Sequence, residues 1–73
     1  MAKKGQSTVY RVTEVIGTSS TSWEDAARSA VATAAGSLRD LRIAEIEKLD
    51  VKIEDGKITQ FRARLALSFK YDA

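Results

Sequence analysis

The sequence predicts an α+β chain of order β-α-β-β, with a three-stranded antiparallel sheet curled around one helix. Three observations predict it. Runs of β-branched and aromatic residues lie at 9–16, 42–54 and 57–71. Apolar residues recur at three- and four-residue intervals from Ser22 onward. Asp55-Gly56 stands between the last two runs, where a type I′ turn needs positive φ at both central residues.

The first run, Val9-Tyr10-Arg11-Val12-Thr13-Glu14-Val15-Ile16, reads as a strand that ends where Gly17 allows the backbone to turn. The hydroxyl-rich stretch Thr18 to Ser22 follows. It lacks the glycines and lysine of a phosphate-binding loop and reads as loop and cap. Ser22 is placed to cap a helix, with Asp25 three positions on to reach back and Glu24 at the positive helix end.

Trp23, Ala26, Ala27, Ala30, Val31, Ala34 and Leu38 form one face of that helix, with Leu41 as a candidate extension of it. Alanine dominates the face, so the helix axis can lie close to a sheet, with Trp23 filling the gap at one end. Gly36 disfavours the last turn by about 1 kcal/mol relative to alanine, and the helix is expected to end between Leu38 and Asp40. Arg28, Glu24, Asp25 and Arg39 interrupt the apolar stretch and make it a core helix, not a membrane span.

The last strand, Lys57 to Tyr71, alternates cleanly. Phe61, Ala63, Leu65, Leu67, Phe69 and Tyr71 point to the core; Gln60, Arg62, Arg64, Ala66, Ser68 and Lys70 point away. The preceding strand, Arg42 to Glu54, is less regular. Ile43, Leu49, Val51 and Ile53 share one parity and Ala44 and Ile46 the other, as expected of a strand with contacts on both sides. Strands of about a dozen residues rise roughly 40 Å at about 3.3 Å per residue, whereas a helix of about 17 residues is only about 26 Å long. The sheet overhangs the helix, and its uncovered edges and apolar area call for further copies of the chain.

The totals set limits. A 73-residue chain is expected to be one domain, with residues 1–6 as a flexible tail and a core too small to be stable without help. Cysteine and histidine are both absent, which removes disulfides, the usual zinc, copper and haem ligands, and nucleophilic triads. Oligomerisation is the stabiliser that remains, and the chain is expected not to be an enzyme. The polar start has no secretory apolar core and no run is long enough to span a bilayer, so the expected location is cytoplasmic, with no membrane partner. A formal charge of only +2, with Lys3 and Lys4 in the tail, argues against nucleic acid as a partner. The last strand's aromatics also lie on the core parity, where no base can stack on them.

Two charged groups remain as candidates. Arg62 and Arg64 project from one face of the last strand and suit either a phosphate or carboxylate ligand or cross-strand pairing with Glu45 and Glu47. Glu45 and Glu47, repeated around a symmetry axis, offer oxygen ligands for calcium or magnesium; otherwise they form a solvated strand face.

The order and spacing of Val9-Tyr10-Arg11-Val12, Gly17-Thr18-Ser19, Ser22-Trp23-Glu24-Asp25-Ala26, Leu38-Arg39-Asp40-Leu41-Arg42, Ala44-Glu45-Ile46, Glu54-Asp55-Gly56-Lys57 and Ser68-Phe69-Lys70 resemble the dodecin family over nearly the whole chain. The resemblance implies a hollow homododecamer of cubic symmetry that holds flavin (riboflavin or FMN) in stacked pairs between aromatic side chains. It also implies a stacking tryptophan immediately before the segment matched by Ala44-Glu45-Ile46, and a glutamine in the last strand. Ile43 and Arg62 occupy those positions here, so flavin binding is expected to be weakened or lost, with Ile43, Glu45, Arg62 and Arg64 as the diverged ligand site. Trp23 lies elsewhere and is expected to pack, not to stack on flavin.

Overall fold

The computed structural model describes residues 8–71; the expected tail at 1–6 lies outside them. Strand β1 spans Tyr10–Ser19, helix α1 Trp23–Ala35, β2 Leu41–Glu54 and β3 Lys57–Lys70. The sheet is antiparallel with order β1-β3-β2, so β3 is central and both other strands are edges. The β-α-β-β expectation holds. Asp55 and Gly56 both have positive φ, 52° and 74°, which identifies the β2–β3 connection as the primed turn expected of Asp-Gly.

Strand β1 does not stop at Gly17 but runs on to Ser19. Gly17 is there for another reason. A Cβ at this position would collide with the Ala26 carbonyl oxygen and lie 2.8 Å from the Ala30 Cβ. Hydrogen is all that fits where the helix crosses the strand. Ala26, Ala30 and Ala34 are buried against Ala63, Leu65 and Leu67, and Leu65 and Leu67 are the largest side chains fully out of water. Burying each leucine contributes on the order of 1.5–3 kcal/mol. The core is correspondingly small.

At the start of α1 the Ser22 Oγ accepts from the Asp25 amide at 3.0 Å, as expected. Asp25 does not reach back to the Ser22 amide. Its Oδ2 accepts instead from the Ser19 hydroxyl at 2.7 Å, and Ser19 Oγ accepts from the Thr21 amide at 2.9 Å, tying the end of β1 to the first turn. The helix ends earlier than Leu38, at Ala35, with Gly36 as C-cap. The Ser37 and Leu38 amides both donate to the Ala34 carbonyl, at 3.0 and 2.8 Å, which closes the helix, and Asp40 with φ of 57° turns the chain into β2. Leu38 still packs against the core from beyond the helix.

Trp23 has the packing role expected of it. Its ring meets Phe61 edge to face at 5.3 Å, an arrangement that contributes about 0.5–1.5 kcal/mol, and its Nε1 donates to the Asp50 carbonyl at 3.0 Å. The helix axis is pinned over β1 and β3, with little contact to β2.

The irregular parity of β2 has a different cause from the one expected. A register shift between Ile46 and Lys48 inserts Glu47 as an extra residue, and the alternation flips there. Ala44 and Ile46 before the bulge therefore share the helix side with Leu49 and Val51 after it, and Ile43 faces the opposite way. The molecule measures 60 × 21 × 17 Å, so the β2–β3 hairpin does overhang the helix.

Gly17→Ala is expected to destabilise the fold by about 3 kcal/mol, the upper end for overpacking, because the obstructing atom is backbone. Urea denaturation of the variant measures this. An unchanged midpoint contradicts the close crossing.

Candidate functional site on the open sheet face

One face of the sheet carries the helix; the other is bare, and it presents four rows of side chains across the three strands. Read from β1 through β3 to β2, they are Thr18, Arg62 and Asp50; Ile16, Arg64 and Lys48; Glu14, Ala66 and Glu45; and Val12, Ser68 and Ile43. Glu47 stands at the bulge between the second and third rows.

The arginines pair across strands, but not with Glu45 and Glu47. Arg62 grips Asp50 with both arms of its fork, Nε to Oδ1 at 2.7 Å and Nη2 to Oδ2 at 3.1 Å. Arg64 turns the other way, to Glu14 on β1, at 3.7 Å. The bulge explains both departures. It advances β2 by one residue, so Asp50 is opposite Arg62, and Arg64 faces Lys48, from which it turns away. The hydrogen-bonded guanidinium holds the Asp50 carboxyl below its usual range, and Asp50 in turn raises the Arg62 pKa.

Three carboxylates gather around Ala66, whose methyl is too small to keep its flanking residues apart. Glu14 and Glu45 flank it directly, and the bulge brings in Glu47. The Glu47 carboxyl is pushed up from its usual range, first by a hydrogen bond shared with the Glu14 carboxyl, then by lost hydration and the negative charges of Glu14 and Glu45; Arg64 opposes the rise. Among the described residues, no set of three or more carboxylate, histidine or cysteine side chains in one protomer is arranged to hold a metal ion. Oxygen ligands of the hard type that calcium and magnesium prefer are present, in a partial set.

Ile43 is 64% exposed beside Ser68 and offers aliphatic surface without a π-face. Arg62 lies six residues from Ser68 along β3, about 20 Å at roughly 3.3 Å per residue, so one protomer does not bring Ile43 and Arg62 together. Glu14 and Asp50 are the two members of this face that sequence reasoning passed over as partners. The signal for both was the parity break between Ile46 and Leu49, which marks a bulge and with it the register that assigns every pair.

Comparison with known proteins gives the chain its relatives. The sequence model of the Dodecin family matches residues 9–72. The chain belongs to the dodecin family. It is 48% identical over 63 residues to the calcium dodecin of Mycobacterium tuberculosis, covering 85% of this chain and 87% of that one. The solved dodecin of Streptomyces coelicolor superposes with a TM-score of 0.85 at 38% identity, over 90% of this chain and 94% of that one. A solved structure of the Mycobacterium tuberculosis calcium dodecin, described as calcium-chelating with a novel calcium-binding site, superposes with a TM-score of 0.79 at 44% identity, over 89% and 93% of the two chains. Among the described residues, no helix is long and apolar enough to cross a membrane.

The two shifted carboxyls predict opposite pH behaviour. Glu47, raised in the folded protein, favours the fold when protonated and loses that contribution as pH rises through its folded value. Glu47→Gln is therefore expected to be more stable than the parent at pH 7, with the gap closing on acidification. Asp50, lowered, contributes above its unfolded value near 3.8 and loses that contribution as pH falls through the folded one. Asp50→Asn is expected to be less stable at pH 7 and to converge with the parent as pH falls through the lowered folded value of Asp50. Urea denaturation across pH 2.5–7 checks both signs.

Proposed function

We propose that the chain is the subunit of a dodecin-like hollow homododecamer, a non-enzymatic cytoplasmic protein that binds and stores a small ligand. The ligand is calcium, with magnesium as the chemical alternative, and flavin affinity is weakened or lost. The observation that supports this reading is the gathering of Glu14, Glu45 and Glu47 around Ala66, where a hydrogen bond shared with Glu14, then lost hydration and like charges, raise the Glu47 pKa. A divalent cation relieves that repulsion better than a single proton does. Since one protomer supplies only part of a coordination sphere, copies related by symmetry complete it, with Glu45 and Glu47 as the principal ligands and Glu14 beside them. The relationship to a protein named calcium dodecin points the same way.

Flavin fits the face poorly. Ile43 forgoes about 0.5–1.5 kcal/mol of stacking for each aromatic contact it replaces, and the Arg62 fork is already engaged by Asp50 and so not available to a flavin's polar edge. The same engagement, with Glu14 on Arg64, disfavours a phosphate or carboxylate ligand on the arginine stripe.

Titration calorimetry with calcium and magnesium tests the ion. Binding is expected for the parent and at least tenfold weaker for Glu45→Gln and Glu47→Gln; no heat with either ion contradicts the reading. Riboflavin fluorescence tests the other half. Little quenching is expected with the parent, and at least tenfold tighter binding with Ile43→Trp combined with Arg62→Gln. Tight quenching by the parent restores flavin storage as the function.

A further inference from the structure

Two neighbouring rows of the open face carry three cations and one carboxylate. Thr18, Arg62 and Asp50 form the first row, and Ile16, Arg64 and Lys48 the second. The rows are two residues apart along β3, about 6.6 Å at roughly 3.3 Å per residue, which is within the reach of arginine and lysine side chains. Asp50 stands among all three cations. The hydrogen bond from Arg62 does most to keep its carboxyl ionised; lost hydration opposes this, and the charges of Arg62, Arg64 and Lys48 add to it. The remaining charges lie at the margins. Lys52, in the row beyond Asp50, pairs with Glu54 at 3.6 Å; Glu14 reaches Arg64 from β1 at 3.7 Å; and Glu47 stands at the bulge beyond Lys48.

Asp50 is held at two points. The Trp23 Nε1 donates to its main-chain carbonyl at 3.0 Å, which fixes the backbone, and Arg62 grips its carboxylate with both arms of the fork, at 2.7 and 3.1 Å. An arginine fork makes the same pair of bonds to a phosphate group. The group of cations is also short of negative charge. Lys48 has no ion pair among the described residues, and the Arg64 contact to Glu14 is long. A carboxylate offers these three cations one negative charge, whereas a phosphate monoester offers about two and three acceptor oxygens. Solutes have access, since the Arg62 and Asp50 side chains are 40% and 54% exposed.

We infer that Asp50 is a tethered ligand: its carboxylate occupies an anion site built by Arg62, Arg64 and Lys48, with Thr18 beside it, and keeps phosphate groups out. Asp50 thereby determines which sign of ligand the open face accepts. While its carboxylate is in place, the arginine row is closed to anions and the acidic row around Ala66 is left to attract a cation. Without that carboxylate, the same arginine row takes a phosphate group, free or carried as a monoester. The inference is local to one protomer and depends neither on the proposed calcium ligands nor on self-assembly.

Titration calorimetry with inorganic phosphate and with glycerol phosphate tests it. Asp50→Asn preserves the size of the side chain and removes its charge, and is expected to bind inorganic phosphate at least tenfold more tightly than the parent. Adding Arg62→Gln to that variant is expected to return the affinity to the parent's level. Equal affinity in the parent and Asp50→Asn overturns the tethered ligand, and a gain that persists in the Arg62→Gln double variant overturns the site, because it then reflects net charge alone. Tenfold preference for glycerol phosphate assigns the site to a carried phosphate; equal affinity assigns it to the phosphate group itself. Because Asp50→Asn is expected to be less stable, Asp50→Ser serves as a second neutral variant. Excess phosphate is expected to raise the thermal unfolding midpoint of both variants and to leave the parent's unchanged, since a ligand stabilises the state that binds it. A midpoint that moves equally in the parent contradicts the exclusion.

Discussion

The close crossing of α1 over β1 at Gly17 governs the rest of the structure. With hydrogen at residue 17 and alanines at 26, 30 and 34, the helix lies nearly in contact with the strand backbone, and among the described residues the buried core contains only two large side chains, Leu65 and Leu67. A closer approach gains packing but leaves little room for apolar volume. It also fixes the helix to one side of the sheet, over β1 and β3, so that the underside of β2 and the hairpin end keep their isoleucines in water. Such exposure is costly for a chain of this size, and the assembly proposed above would bury it between copies.

On the opposite face, the extra residue at Glu47 plays an equivalent organising role. It moves Asp50 opposite Arg62 and Lys48 opposite Arg64, and it brings a third carboxylate to the pair that Ala66 fails to separate. The result is a face divided along its length. At one end an arginine is satisfied by a fork-to-carboxylate bond; in the middle negative charge is in excess; at the other end Ile43 and Val12 flank Ser68. Each division bears on ligand choice: the satisfied arginine and the isoleucine disfavour a flavin, and the surplus charge favours a cation.

Much of this fold was legible because local chemistry and tertiary context agree. Asp55-Gly56 required a primed turn, Ser22 capped the helix, and β3 alternated from Gln60 onward because one of its faces lies under the helix and the other is open. The failures occurred where a residue serves a tertiary purpose that local rules do not express. Gly17 looks like a strand terminator because glycine usually is one, yet it marks a crossing whose other half is the alanine stripe that begins nine residues later at Ala26. The parity break in β2 is visible between Ile46 and Leu49, and contacts on both sides of the strand would account for it equally well. A bulge satisfies the same pattern and shifts the register by one, which was enough to exchange Glu45 and Glu47 for Asp50 and Glu14 as the arginines' partners. Ligand choice was the least legible, because one chain holds only a partial set of oxygen ligands and the proposed completion by further copies leaves no mark in a single sequence.

The most direct test of the central claim, that this protomer is incomplete without copies of itself, is native mass spectrometry of the purified protein with calcium present. The account predicts a twelve-subunit ion that carries calcium and no flavin mass. A monomer or dimer at micromolar concentration would contradict it, since the bare underside of β2 and the hairpin isoleucines would then be stable in water without a partner.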